Sequence, residues 1–181
     1  MSTRRPRTPN LDQLQLVKRS DLLGELLATH PELLTEAEAL ARDHLATEDA
    51  DSVARDVEVA LRGLDTAHVA YRAGRVYGRG YIHENEAAAE LLEEALEPYL
   101  SDVTRRAGLG LTEAAGAIGL GLLQGLARCE SKVPDGSVLA YAGPDVPGEL
   151  AWSVCKTLKD AGVSLADDAF GALPEGWGQH L

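Results

Sequence analysis

The sequence predicts an all-α protein, with seven or eight helices arranged as antiparallel hairpins in a short α-solenoid or an irregular bundle. Three observations lead there. Apolar residues recur three and four positions apart along most of the chain, the period of a helix with one apolar face. The apolar palette is leucine, alanine and valine, and aromatics make up only 4%. That palette suits helices packed closely on small side chains. Proline and glycine fall between helix-length runs, where they start and stop helices.

Residues 1–10 read as a disordered basic arm carrying Arg4, Arg5 and Arg7, and residues 11–181 as a single helical domain. A chain of 181 residues can bury a real core without metal or disulfide staples. After an apolar lead-in from Leu11 to Leu16, Ser20 and Asp21 suit the N-cap of a first helix, LLGELLATH. Pro31 suits the first position of a second, with Leu33, Leu34, Ala37, Leu40, Ala41 and Leu45 as its buried stripe. Asp51 or Ser52 caps a third helix, whose Val53, Val57, Ala60, Leu61 and Leu64 repeat at helical spacing. Asp65 or Thr66 caps a short fourth helix reaching Arg72. Gly74, Gly78 and Gly80 then argue against a continuous regular element. From Asn85 a strong helix begins, and Pro98 predicts a kink or restart within it. Thr112 caps the next helix. Its Gly116, Gly119, Gly121 and Gly125 each cost about 1 kcal/mol against alanine, which predicts a neighbouring helix packed close on a central, buried one. SVLAYAG (residues 137–143) reads as an irregular run in preference to a short strand. Pro147 opens the last long helix and Gly162 ends it. A short helix near Leu165 to Phe170 and a loose tail follow. Two-helix units of 35–45 residues recur, a spacing suited to stacked hairpins, although no shared consensus aligns them.

The formal net charge is −12, and an acidic body repels phosphate backbones, which disfavours nucleic acid as a partner. Cys129 and Cys155 make no CxxC or zinc-ligand spacing and read as two buried hydrophobes, with a disulfide left open. The N-terminus has no apolar signal core, and no apolar run is long enough to span a bilayer, so the expected compartment is the cytoplasm.

The least even stretch is Tyr71 to Glu97. It places Tyr71, Tyr77 and Tyr81 among Arg72, Arg75 and Arg79, then His83, then six glutamates beginning at Glu84. Tyrosine and arginine together can stack on a base or grip a phosphate or an acidic peptide, and glycines let a backbone approach. The competing structural reading has the tyrosines packed on helices and the arginines paired with glutamates of the next helix. His83, Glu84 and Glu86 stand at i, i+1 and i+3, which do not converge on a metal as HExxH does. Acids at a helix start complement its dipole instead. No GxSxG, GxGxxG or P-loop is present, so no catalytic residue, metal or cofactor is assigned. The expected function is a non-catalytic helical interaction module. Its partner would be another protein, met through Tyr71, Arg72, Arg75, Tyr77, Arg79, Tyr81, His83 and Glu84, with a homodimer open. The alternative is a small-molecule or nucleotide pocket, enzymatic or not, lined by the same connector.

The turn THPELL, the connector VAYRAGRVYGRGY and the run ENEAAAELLEEALEPYLSDV resemble the helical region of bacterial SWIM zinc-finger-associated proteins. The resemblance covers residues 20–130 and implies an α-helical scaffold. The CxCx(n)CxH signature of that family is absent, so no zinc ligand is carried over.

Overall fold

The computed structural model describes residues 14–76, 78, 80–166, 171, 173, 174 and 177. Among these, eight α-helices and one two-stranded sheet form, so the chain is all-α as expected. Contacts divide it into two compact units, with the boundary after His44.

The first unit holds α1 (Leu16–Thr29), a 3-10 turn (Pro31–Leu33) and most of α2 (Leu34–Ala46). α1 begins four residues before the expected Ser20 cap. Gln15 takes the N-cap position and Ser20 Oγ donates back to the Leu16 carbonyl. The leucine repeat already includes Leu16, and periodicity outweighs a mid-run serine. The stripe expected to be buried on the second helix is not: no residue of α1 or α2 is buried, and Leu33, Leu34 and Leu40 are exposed. Periodicity fixes which face of a helix is apolar, not what covers it.

The second unit holds α3 (Ala50–Arg62), α4 (Ala67–Arg72), β1 (Gly74–Val76), β2 (Gly80–Ile82), α5 (Glu84–Gly108), α6 (Thr112–Ser131), α7 (Val138–Ala142) and α8 (Val146–Asp160). Asp49, not Asp51 or Ser52, caps α3 by accepting from the Ser52 amide at 3.0 Å. Asp65 accepts from the Ala67 amide at 2.9 Å and starts α4. α5 runs through Pro98 as one helix, without the restart that was one of the two expectations. Pro98 and Glu94 both face water, so the Glu94 carbonyl that a proline leaves unbonded can be hydrated. Leu91, Leu92 and Leu96 before it and Val103 after it anchor the helix in the core.

α6 sits at the centre of this unit and packs against α3, α5 and α8. Its buried residues include Ala115, Ile118, Leu122, Leu123, Leu126 and Cys129. Buried positions on every side of a helix mark one surrounded by its neighbours. The glycines account for the close approach. A Cβ on Gly121 would lie 2.6 Å from Val53 Cβ, and one on Gly125 2.8 Å from Val57 Cβ. On Gly119 it would lie 2.5 Å from a Leu158 methyl of α8. α3 and α8 thereby fill the glycine face.

SVLAYAG is neither strand nor irregular: Val138–Ala142 forms α7, capped by Ser137, whose Oγ accepts from the Ala140 amide at 3.3 Å. Val138 and Leu139 are buried there, which favours a single ordered turn. α8 ends as the sequence predicts. The Val163 amide donates to Leu158 O at 2.9 Å and the Gly162 amide to Lys159 O at 3.0 Å. Gly162 takes φ +69°, the left-handed residue that this terminator requires. The expected helix near Leu165 to Phe170 falls partly outside the described residues.

Cys129 and Cys155 are both buried and free. The Cys155 thiol donates toward Trp177 O at 3.6 Å. Burial pushes both thiols above their ordinary pKa, which starves alkylation of thiolate. Labelling of the native chain by iodoacetamide at neutral pH is therefore expected to be slow at both sites and rapid in denaturant, as counted by intact mass.

Candidate interaction surface

The connector that sequence alone left irregular is a β-hairpin. Gly74 pairs with Ile82, Arg75 with Tyr81 and Val76 with Gly80, in antiparallel register. Gly80 takes φ +89° and Gly78 +83°, conformations open to glycine and costly for other residues. The glycines that argued against regular structure are the ones that let so short a hairpin turn.

Strand alternation sorts the side chains. Ile82 is 4% exposed and buries into the core cluster that also holds Val69 and Ala87. Arg75 and Tyr81 are cross-strand partners and so share the opposite face. Both are exposed. The Tyr81 ring meets the His83 ring edge-on, with centroids 5.0 Å apart and planes at 66°, a favoured geometry for aromatic rings. His83 is the N-cap residue of α5 and Glu84 its first residue, both exposed. Tyr71, on α4, is 90% exposed.

Arg72 has a structural role. Its two terminal nitrogens donate to the two Glu94 carboxylate oxygens at 2.6 Å each, a fork that ties the end of α4 to α5. That hydrogen bond holds the Glu94 carboxyl below its ordinary pKa. A carboxylate lowered in this way stabilises the fold above its unfolded pKa, and the contribution is lost as pH falls through the folded value. Glu94→Gln at neutral pH is expected to mimic that acid loss. Hairpin amides should exchange faster with solvent while the melting of the whole chain stays unchanged, because an exposed pair contributes little globally.

The structure thus brings Arg75, Tyr81, His83 and Glu84 to one exposed hairpin edge. It places Tyr71 on the adjoining helix and takes up Arg72 in a pair. Tyr77 and Arg79 lie outside the described residues. Among the described residues, two of the concavities in this unit lie away from the hairpin. One, of about 270 Å³, is lined by Val133, Leu139, Pro144 and Pro147 among others. The other, of about 220 Å³, surrounds Leu111 and Thr112 at the start of α6. No group of three histidines, cysteines or acids able to hold a metal is found among the described residues. Nor is any helix among them long and apolar enough to cross a membrane. No protein-family model, curated protein or solved structure matches this chain.

Sequence reasoning missed the main polar anchor of the unit. Arg106 is only 8% exposed. Its Nε donates to Asp102 at 3.0 Å, one terminal nitrogen donates to the Leu45 carbonyl at 2.6 Å, and the other pairs with Glu48 at 2.7 Å. Asp102 lies four residues earlier in the chain and was a visible i, i+4 signal. Glu48 and Leu45 are about sixty positions away and gave none.

Proposed function

We propose that this chain is a non-catalytic interaction module that binds another protein through the Tyr71–His83 connector and the acidic start of α5. One observation carries the reading: Tyr71 on α4 and Tyr81 on β2 stand 90% and 64% exposed, next to an Arg72–Glu94 fork that ties the end of α4 to α5. Tyrosine and arginine are, with tryptophan, enriched among the residues that dominate binding energy at protein interfaces. The Tyr81 ring already rests edge-on against His83, so it loses less side-chain freedom on docking. Arg75 on the same face supplies a planar donor fork. The resemblance to the helical region of SWIM-associated proteins implies the same class of role.

The test is gentle isolation from the native host, comparing the natural chain with the double variant Tyr71→Ser, Tyr81→Ser. The natural chain is expected to retain a partner protein that cross-links within residues 71–83. The variant is expected to lose that partner at an unchanged melting temperature. A small molecule retained at one equivalent, with no protein partner, would replace this reading with a ligand-binding one.

A further inference from the structure

The cavity where the end of α6 meets α7 and the start of α8 plays no part in the hairpin reading. Its apolar lining runs from Leu139 and Pro147, both buried, to Val133, left 40% exposed. Pro144 and Gly143 belong to the same wall. The two prolines fix their own backbone angles, so this wall is formed in advance of any ligand. Gly143 takes φ +101°, and nothing lies within 4 Å of where its Cβ would stand. The volume, about 270 Å³, falls just below the ~300–1,000 Å³ of pockets that take drug-sized ligands. That is room for a whole small molecule, and far less surface than a protein interface covers.

Charge says which small molecule. Glu130 is the charged residue of the lining. Among the described residues its carboxylate has no ion-pair or hydrogen-bond partner, and Lys132, two positions on, does not pair with it. Residues 130–149 hold four acids (Glu130, Asp135, Asp145 and Glu149) against one base, Lys132, a local net of −3. An anion would meet repulsion there, and two prolines with no N–H to donate. We propose that this cavity binds a small organic cation, whose ammonium group donates to the Glu130 carboxylate while its apolar body rests on Leu139, Pro144 and Pro147. Glu130 is exposed, and an exposed charge alone holds little in water. Binding therefore needs the charge and the apolar body together. The inference does not rest on the role of the hairpin.

The experiment titrates benzylamine into the full chain and follows the backbone amide resonances. Benzyl alcohol and benzoate, which keep the ring and change the charge, are titrated beside it. Benzylamine is expected to shift the amides of Val133, Leu139, Ala140 and Gly143 to saturation, and to bind about tenfold or more tightly than benzyl alcohol. Benzoate is expected to leave them in place. Glu130→Gln, at an exposed position, is expected to erase the preference for the amine over the alcohol. Ala140→Leu, also at an exposed position of the lining, fills the cavity and is expected to abolish binding of both at an unchanged melting temperature. Equal binding of amine and alcohol by the natural chain overturns the proposal, as does a preference that survives Glu130→Gln. Shifts scattered along the acidic α5 overturn it by reducing the effect to general attraction of a cation. Failure to saturate at millimolar benzylamine overturns it outright.

Discussion

Gly121→Ala is expected to destabilise the larger unit by about 2 kcal/mol, although alanine is the better helix former by about 1 kcal/mol. The new Cβ would lie 2.6 Å from Val53 Cβ and 2.7 Å from the Ala50 carbonyl oxygen. Neither atom can be moved by a change of rotamer, so α3 and α6 must separate. Separation loosens the contacts of Val53, Ala54, Val57 and Leu61, the whole buried face of α3. Gly125→Ala meets the same obstacle at Val57 and the Ala54 carbonyl. The control is Gly24→Ala in α1, where nothing lies within 4 Å. There only propensity acts, and no loss is expected. Urea midpoints of the three variants separate the effects, and a Gly121→Ala chain more stable than the natural one would remove the close-approach account.

Arg106→Ala is expected to cost about 2–3 kcal/mol, somewhat less than the loss of a fully buried ion-pair partner. The Glu48 carboxylate and the Leu45 carbonyl lose this donor, and the Asp102 carboxylate loses one of its two arginines. The two carboxylates are each 25% exposed, so water repairs part of the damage. Arg105, its neighbour in sequence, also pairs with Asp102 but is 53% exposed. Arg105→Ala is expected to change stability by no more than about 0.5 kcal/mol. Equal losses at the two positions in chemical denaturation would show that the buried network contributes nothing beyond a surface pair.

Much of the larger unit could be read from its residues because its signals are local. The glycine spacing on α6 announced a close neighbour, and a neighbour is there at Val53 and Val57. Gly162 announced a helix end and makes one. The failures come from information that is not local. Whether the stripe of α2 is covered depends on surfaces far along the chain or beyond it. Pro98 breaks a helix in isolation, but burial of Leu92 and Leu96 on one side and Val103 on the other outweighs one missing hydrogen bond. Three glycines in seven residues suggested irregular backbone, whereas a tight hairpin needs the same residue at the same spacing. At the candidate surface, residue types marked the stretch correctly as unusual. Only the strand register separates Tyr81 and Arg75, which face water, from Ile82, which does not.

The place of α6 in the chain also sets when the larger unit can come together during synthesis. The helix that fills its centre ends at Ser131, while the first helix to lean on it begins at Ala50. As the chain grows from its N-terminus, α3 has to wait, its valines open, until some seventy further residues have emerged. Leu158 closes over Gly119 later still. A nascent chain that has emerged only as far as residue 111 exposes α3 and α5 with no central helix to receive them, and such exposed apolar faces are what chaperones bind.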